Sequence, residues 1–288
     1  MDLTALSGAA TIALGSTFIF LLVVKSWAIF AKTTDSTRFP ESIMLEAAQR
    51  IRDKLVKLSH EQSVYLVSAL VFTVVFSIFY LIPPKDVFED VPRWQLILVL
   101  VLLALAAVYF SYQIAKTVIA KRKLEFSRDA SIATGHALQK ITANQNRVFY
   151  DVPSAAGVID NVIVGLHGIY TVSVIARKAG KNERASLKDD RLSFGEKQVV
   201  SVKRSAVKSE QLAKEIRKVT GHEIRVRSVI AIPGWEIESQ ESSQFLVVNE
   251  RNLAMLTGWK DQKDYLMNED VEAIHKLLTE RCTRFSRK

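Results

Sequence analysis

The chain has 288 residues, of which 49% are hydrophobic, and a formal net charge of +9 at pH 7. Its apolar content is too high for an ordinary soluble protein, and the excess before residue 120 predicts a membrane half followed by a soluble half. The single cysteine, Cys282, excludes an intramolecular disulfide, so a reducing compartment is compatible with the soluble half.

Three apolar runs in the first half are long enough to cross a bilayer, which takes about 20 residues. They cover residues 9–30, 63–82 and 94–115, and Lys25 is the one charge within them. We therefore predict three N-terminal transmembrane helices, with a signal-like segment as the alternative for the first run. Because these runs contain neither an acid nor a histidine, a transporter is disfavoured, and the runs are typical of an anchor.

The charges that flank these runs predict an orientation. Lys and Arg collect between the first two runs and after the third, whereas the loop 85–93 carries three acids against two bases. The positive-inside rule then predicts a multi-pass inner-membrane protein with its N-terminus outside and its C-terminal domain in the cytoplasm. Residues 42–58 have apolar side chains at spacings of three and four, which predicts an amphipathic linker helix on the membrane or against the soluble domain.

From residue 127 onward, helices and strands follow one another in a pattern typical of an α/β domain. Helices are predicted at 127–143, 199–219, 250–256 and 269–285. Strands are predicted at 147–152, 157–164, 169–176, 225–232 and 245–248, and a small hairpin is predicted near Asp189. The second and third strands are almost continuously apolar, which indicates burial on both faces. The core order is α-β-β-β-α-β around one mixed sheet, so the predicted regions are a membrane region, 1–126, and a cytoplasmic domain, 127–288.

The strand pair at 157–175 carries the most specific pattern. It reads Ile159-Asp160-Asn161-Val162-Ile163-Val164-Gly165 and then Gly168-Ile169-Tyr170. Together with the order of elements over residues 130–260, it resembles the nuclease-related domain (NERD) family of the PD-(D/E)xK nuclease superfamily. The resemblance implies a restriction-endonuclease-like domain that hydrolyses phosphodiesters. In such a domain two carboxylates on neighbouring strands hold Mg²⁺, and a lysine lies two residues beyond the second acid.

The chain departs from the family's pattern at most of the charged positions. Asp160 matches the first acid, but Ser173 stands at the position of the second acid and Ile175 at that of the lysine. The family often has a glutamate in its first helix where this chain has His136 after Gly135. Asp160 alone would be a weak magnesium site. We therefore expect a pseudoenzyme, with no cofactor.

An active nuclease that uses Asp160 and Mg²⁺ is the alternative. Its missing groups would have to come from the segment after the strand pair. Lys178 could replace the lysine, and a second acid would come from Glu183, Asp189, Asp190 or Glu196.

The distribution of positive charge is the other functional signal. Residues 177–228 contain 15 Lys and Arg against 7 Asp and Glu. In a nuclease-like fold such cations would contact phosphates without reading the sequence. The candidate nucleic-acid-binding residues are Arg177, Lys178, Lys181, Lys203, Arg204 and Lys208. Three other interpretations stay open: a membrane-tethered scaffold whose basic face meets anionic lipid, a protein partner, or charges that only solvate the surface.

Overall fold

The computed structural model describes residues 42–81, 93–142, 146–178, 184–195, 198–242, 244–257 and 264–285. The chain divides into two compact units. The described parts of the first unit are 56–81 and 93–122. The second unit combines 42–55 with the described residues from 123 onward, so a short N-terminal segment belongs to the α/β unit.

Two long helices pass through the first unit. Helix α1 spans Gln49–Leu81 and helix α2 spans Arg93–Thr142, so each joins an apolar run to a charged section in one continuous helix. Within the described ranges, no helix has both the length and the apolar character that a bilayer crossing requires. This finding overturns the predicted transmembrane helices at 63–82 and 94–115, and with them the N-terminal part of the predicted fold class. The run 9–30 lies outside the described residues.

The second unit contains a mixed five-stranded sheet, a mixed four-stranded sheet and a strand pair. Its strands are β1 (Ser42–Met44), β2 (Arg147–Ser154), β3 (Gly157–Gly165), β4 (Gly168–Val174), β5 (Arg184–Lys188), β6 (Arg191–Phe194), β7 (Gln198–Ser201), β8 (Val226–Ala231), β9 (Glu236–Glu241), β10 (Phe245–Val248) and β11 (Thr283–Phe285). The larger sheet has the order β10-β8-β4-β3-β2, and the smaller one has the order β7-β6-β5-β9. The α/β class is thus confirmed, with two mixed sheets instead of one.

Helices cover both faces of the larger sheet. On one face, α3 (Lys203–Thr220) and α4 (Asn268–Cys282) contribute apolar side chains to a core that includes Phe149 and Val162. On the other face, Leu138 and Ile141 near the end of α2 join a second core. β3 and β4 are therefore buried on both faces, as their continuous apolar sequences predicted. A third core joins the smaller sheet to β8 and β10.

Glu215 fixes α3 against its neighbours. Its carboxylate accepts hydrogen bonds from the backbone N–H of Ala155 at 3.1 Å and the hydroxyl of Ser154 at 3.2 Å, and it pairs with Arg281 on α4. Burial alone would raise the pKa of Glu215, but hydrogen bonds from Arg281, Ala155 and Gln211 hold it below its usual value. The turn between β2 and β3 is thereby tied to α3.

Several predicted boundaries differ from the structure. Residues 199–201, predicted to begin a helix, belong to β7, because they pair with β6 before α3 begins at Lys203. The predicted linker helix at 42–58 begins as β1, which pairs with β11 beyond the last helix. The backbone N–H of Leu45 also donates to the carbonyl of Cys282 at 2.9 Å. These contacts join distant parts of the chain, so local periodicity carries no signal for them.

Cys282 is expected to resist alkylation in the native protein. Its side chain is fully buried at the end of α4, and this burial raises the pKa of the thiol to about 11. Because the thiolate is the reacting species, iodoacetamide at about pH 8 should label the folded chain far more slowly than the chain unfolded in guanidinium chloride. Mass spectrometry of both samples measures this difference. Equal labelling rates would contradict the buried position.

Candidate functional site

Asp160 lies where β3 and β4 stop pairing. The ladder between the two strands runs from Gly165 and Gly168 to Asn161 and Val172, and Asp160 comes one residue beyond it. There its carboxylate oxygen Oδ2 accepts a hydrogen bond from the backbone N–H of Val174 at 2.9 Å. A side chain thus satisfies a donor that the ladder leaves unpaired. The other oxygen, Oδ1, lies 3.8 Å from a guanidinium nitrogen of Arg50.

Asp151 on β2 is a second carboxylate at this position, and the sequence analysis did not identify it. Tyr150 pairs with Asn161, and Val152 pairs with Ile159, so the register places Asp151 opposite Asp160. Asp151 has a φ of 50°, in the left-handed region that aspartate tolerates better than most residues. Its side chain is only 8% exposed. The structure therefore brings together two carboxylates from adjacent strands.

Arg50 in the first turn of α1 contacts both acids. Its backbone N–H donates to Oδ2 of Asp151 at 2.9 Å, so Asp151 caps a helix that has no acid of its own in the first turn. The guanidinium lies 3.9 Å from Oδ1 of Asp151 and 3.8 Å from Oδ1 of Asp160. The side chain of Arg50 is 43% exposed, so this cation is reachable from solvent.

Lys208 on α3 supplies a second cation beside Asp160. Its Nζ donates to the carbonyl of Val158 at 2.7 Å, and its charge acts on the Asp160 carboxylate. The helix is held against β4 by a 2.5 Å hydrogen bond between the hydroxyls of Thr171 and Ser209. A buried contact next to Lys208 thus fixes its position along the sheet.

Burial dominates the protonation of both carboxylates. It raises the pKa of Asp160, although the Val174 N–H and the charges of Lys208 and Arg50 oppose the rise. Burial also raises the pKa of Asp151; Arg50 opposes this rise, while the negative charges of Asp160 and Asp53 add to it. The two cations therefore offset only part of the cost of keeping this acid pair ionised.

The remaining positions of the nuclease pattern do not supply the missing groups. Ser173 is buried on β4 and pairs with Ile230 of β8. Ile175 packs against the third core, so a lysine there would place a charge against apolar side chains. His136 is exposed on α2, next to the buried Gly135. The structure thus places Ser173 on the strand next to β3, which carries Asp160, and neither Ser173 nor Ile175 supplies a charged group there.

The candidate basic residues occupy different environments. Lys203 and Arg204 are exposed in the first turn of α3, and Lys208 is half-buried one turn beyond Arg204. Lys178 is exposed after β4. Arg177 is half-buried, and its carbonyl accepts a 2.9 Å hydrogen bond from the indole of Trp235. Lys181 lies outside the described residues.

The acids considered as substitutes from the following segment do not approach Asp160 in the described part of the chain. Asp189 and Asp190 form the turn between β5 and β6 of the smaller sheet, where the carbonyl of Asp190 accepts the N–H of Val202. Glu183 and Glu196 lie outside the described residues. Within the described ranges, no group of three or more His, Cys, Asp and Glu side chains is arranged to hold a metal ion.

No family model, curated protein or solved structure matches this chain. The resemblance to the nuclease-related domain family therefore stays a hypothesis, and the residues themselves carry the functional argument.

The described side chains do not fit the magnesium site that the resemblance implies. Asp160 already accepts the Val174 N–H and faces Arg50, while Asp151 accepts the N–H of Arg50. A Mg²⁺ ion held by this pair would lie about 2.1 Å from the carboxylate oxygens, and guanidinium nitrogens of Arg50 already lie 3.8 and 3.9 Å from them. The two cations would therefore be close enough to repel each other strongly. An internal cation thus compensates the acid pair.

Proposed function

We propose that this protein binds nucleic acid through sequence-independent phosphate contacts at the N-terminal end of α3, without efficient cleavage. The observation that carries the proposal is the charge of that helix end. Lys203 and Arg204 occupy the first turn, which has no acid and no side-chain cap. Cations at this position oppose the helix dipole and cost about 0.3–1 kcal/mol each. An anion bound there would remove the conflict.

The neighbouring cations extend this surface towards the acid pair. Arg204 and Lys208 are four residues apart and therefore lie on the same side of α3. Because Lys208 reaches the carbonyl of Val158 and acts on Asp160, this side of the helix faces the first residues of β3. We call Lys203, Arg204, Lys208 and Arg50 the basic surface. Phosphates contact such surfaces without base readout, so no sequence preference is expected.

A salt series on the whole 288-residue chain tests this proposal. We expect labelled single-stranded DNA or RNA of about 20 nucleotides to bind at low salt and to weaken steeply between about 50 and 200 mM NaCl. Anionic lipid vesicles and neutral vesicles serve as parallel probes. No affinity for either nucleic acid at low salt would contradict the proposal, and binding to anionic vesicles alone would assign the surface to lipid.

A metal-dependent nuclease is the second candidate, because Asp151 and Asp160 stand opposite each other on neighbouring strands. We expect no strand cleavage above the level of Asp160→Ala when the protein is incubated with DNA or RNA and Mg²⁺ or Mn²⁺. The reason is that the pair is already compensated by Arg50, and Ile175 stands where the lysine would. Gel analysis of labelled strands measures cleavage. Robust scission that Asp160→Ala abolishes would establish the enzyme and refute our assignment.

A further inference from the structure

The acid pair and the basic surface share the same cations. The guanidinium of Arg50 lies within 4 Å of Asp151 and Asp160, and it is also part of the surface proposed to meet phosphate. Lys208 on α3, whose Nζ donates to the carbonyl of Val158, also acts on Asp160 through its charge. A phosphate that approaches these cations therefore meets two carboxylates that already engage them.

We propose that Asp151 and Asp160 form an electrostatic brake on anion binding, in which the two carboxylates compete with phosphate for Arg50 and Lys208. This inference rests on the proposed nucleic-acid binding. It gives the pair a role opposite to that of catalytic acids, because neutralising either acid should strengthen binding instead of abolishing an activity.

The contacts of Asp160 favour competition with phosphate for Arg50 over a purely structural role for this carboxylate. Asp160 has a simple structural contact, the Val174 N–H, which uses one oxygen and which an asparagine carbonyl can also accept. The other oxygen faces Arg50 without a short hydrogen bond, at 3.8 Å. Arg50 is therefore held by charge more than by fixed geometry, and an ion with stronger attraction can redirect it.

A further negative charge near Asp151 also supports this competition. Asp53, three residues after Arg50 on α1, adds negative charge near Asp151. Its charge adds to that of the acid pair beside Arg50. Removing one acid lowers the repulsion that the incoming phosphate experiences and releases part of a cation's charge to it.

The test compares single-residue variants of the full chain by fluorescence anisotropy, with labelled single-stranded DNA and with EDTA present to exclude metal effects. We expect Asp160→Asn to bind about three- to tenfold more tightly than the unaltered protein at low salt. The plot of log affinity against log salt should steepen by up to about one unit, because one more cation engages phosphate. Asp151→Asn is the second variant, and it should shift affinity in the same direction.

The matched control is Glu223→Gln, which makes the same change of net charge. Glu223 is exposed after the C-terminal end of α3, and the helix runs 12 residues, roughly 18 Å, from Lys208 to its end at Thr220. It should change affinity by less than about twofold, since exposed charges beyond a Debye length are screened.

A double variant shows whether Arg50 is the cation that the acids hold. With Arg50→Gln in the background, Asp160→Asn should give a smaller gain than it gives alone, because residues that interact are not additive. Tight binding by the unaltered protein, with Asp160→Asn and Asp151→Asn both no tighter than Glu223→Gln, would overturn the brake and leave the proposed function standing. Absence of binding by every chain would overturn both.

Discussion

A chain carrying Lys203→Glu and Arg204→Glu is expected to bind single-stranded DNA about 100-fold more weakly than the unaltered protein at low salt, with a salt slope shallower by about two. Both residues are exposed in the first turn of α3, so each reversal replaces a potential phosphate contact with repulsion. Acids in a first turn favour the helix, so the variant should fold at least as stably. Anisotropy titrations and thermal melts measure the two effects separately.

The matched control reverses Lys218 and Lys276, which are exposed near the other end of α3 and on α4. It makes the same change of net charge, but Lys218 lies 15 residues from Lys203, roughly 22 Å along the helix. We expect a loss of no more than about threefold, from the weaker long-range attraction. An equal loss in both variants would mean that binding depends on overall charge, and the helix end would not be the site.

Replacing Arg227 with methionine is expected to lower the free energy of unfolding by about 3–5 kcal/mol. Arg227 on β8 pairs with Asp264, and their side chains are only 9% and 2% exposed. Methionine would leave the Asp264 carboxylate buried without its cation, and that uncompensated charge is the source of the loss. Urea unfolding followed by circular dichroism should show a lower midpoint with an unchanged slope.

The double variant Arg227→Met with Asp264→Leu removes both charges of the buried ion pair. It therefore separates the destabilisation caused by an unpaired Asp264 carboxylate from the contribution of the ion pair itself to the free energy of unfolding. Apolar side chains of similar size can replace a buried ion pair with little loss, so the double variant should recover most of the stability. A double variant as unstable as Arg227→Met would mean that lost packing, and not the orphaned carboxylate, causes the destabilisation.

The strands around Asp160 could be predicted closely from the sequence. β3 and β4 consist of nearly continuous β-branched and apolar residues, interrupted by the turn between Gly165 and Gly168, and their local pattern has few alternatives. Residues 199–201 of β7 were predicted as the start of the helix at 199–219, because Val202, Ala206, Ala213 and Ile216 lie on one side of such a helix. The segment forms a strand because it pairs with β6. The local sequence does not indicate that this pairing will occur.

The long apolar runs show a different kind of error. Length and lack of charge predicted separate transmembrane helices at 63–82 and 94–115. In the structure, 63–81 and 94–115 lie within the longer helices α1 and α2, and within the described ranges no helix has the length and apolar character for a bilayer crossing. Hydropathy read over a window reports the composition of that window alone. It does not report where a helix begins or ends, which depends on caps such as the contact between Asp151 and the N–H of Arg50.

The sequence by itself determined the α/β class, the buried hairpin that carries Asp160, and the excess of positive charge. Local patterns suffice for these, because side-chain periodicity and composition act over a few residues. Only the tertiary structure decided which charges meet. Arg50 and Asp151 are 101 residues apart in the chain, and strand register and the docking of α1 bring them together beside Asp160. The physical reason is that electrostatic interactions depend on distance in space, which separation along the chain does not specify.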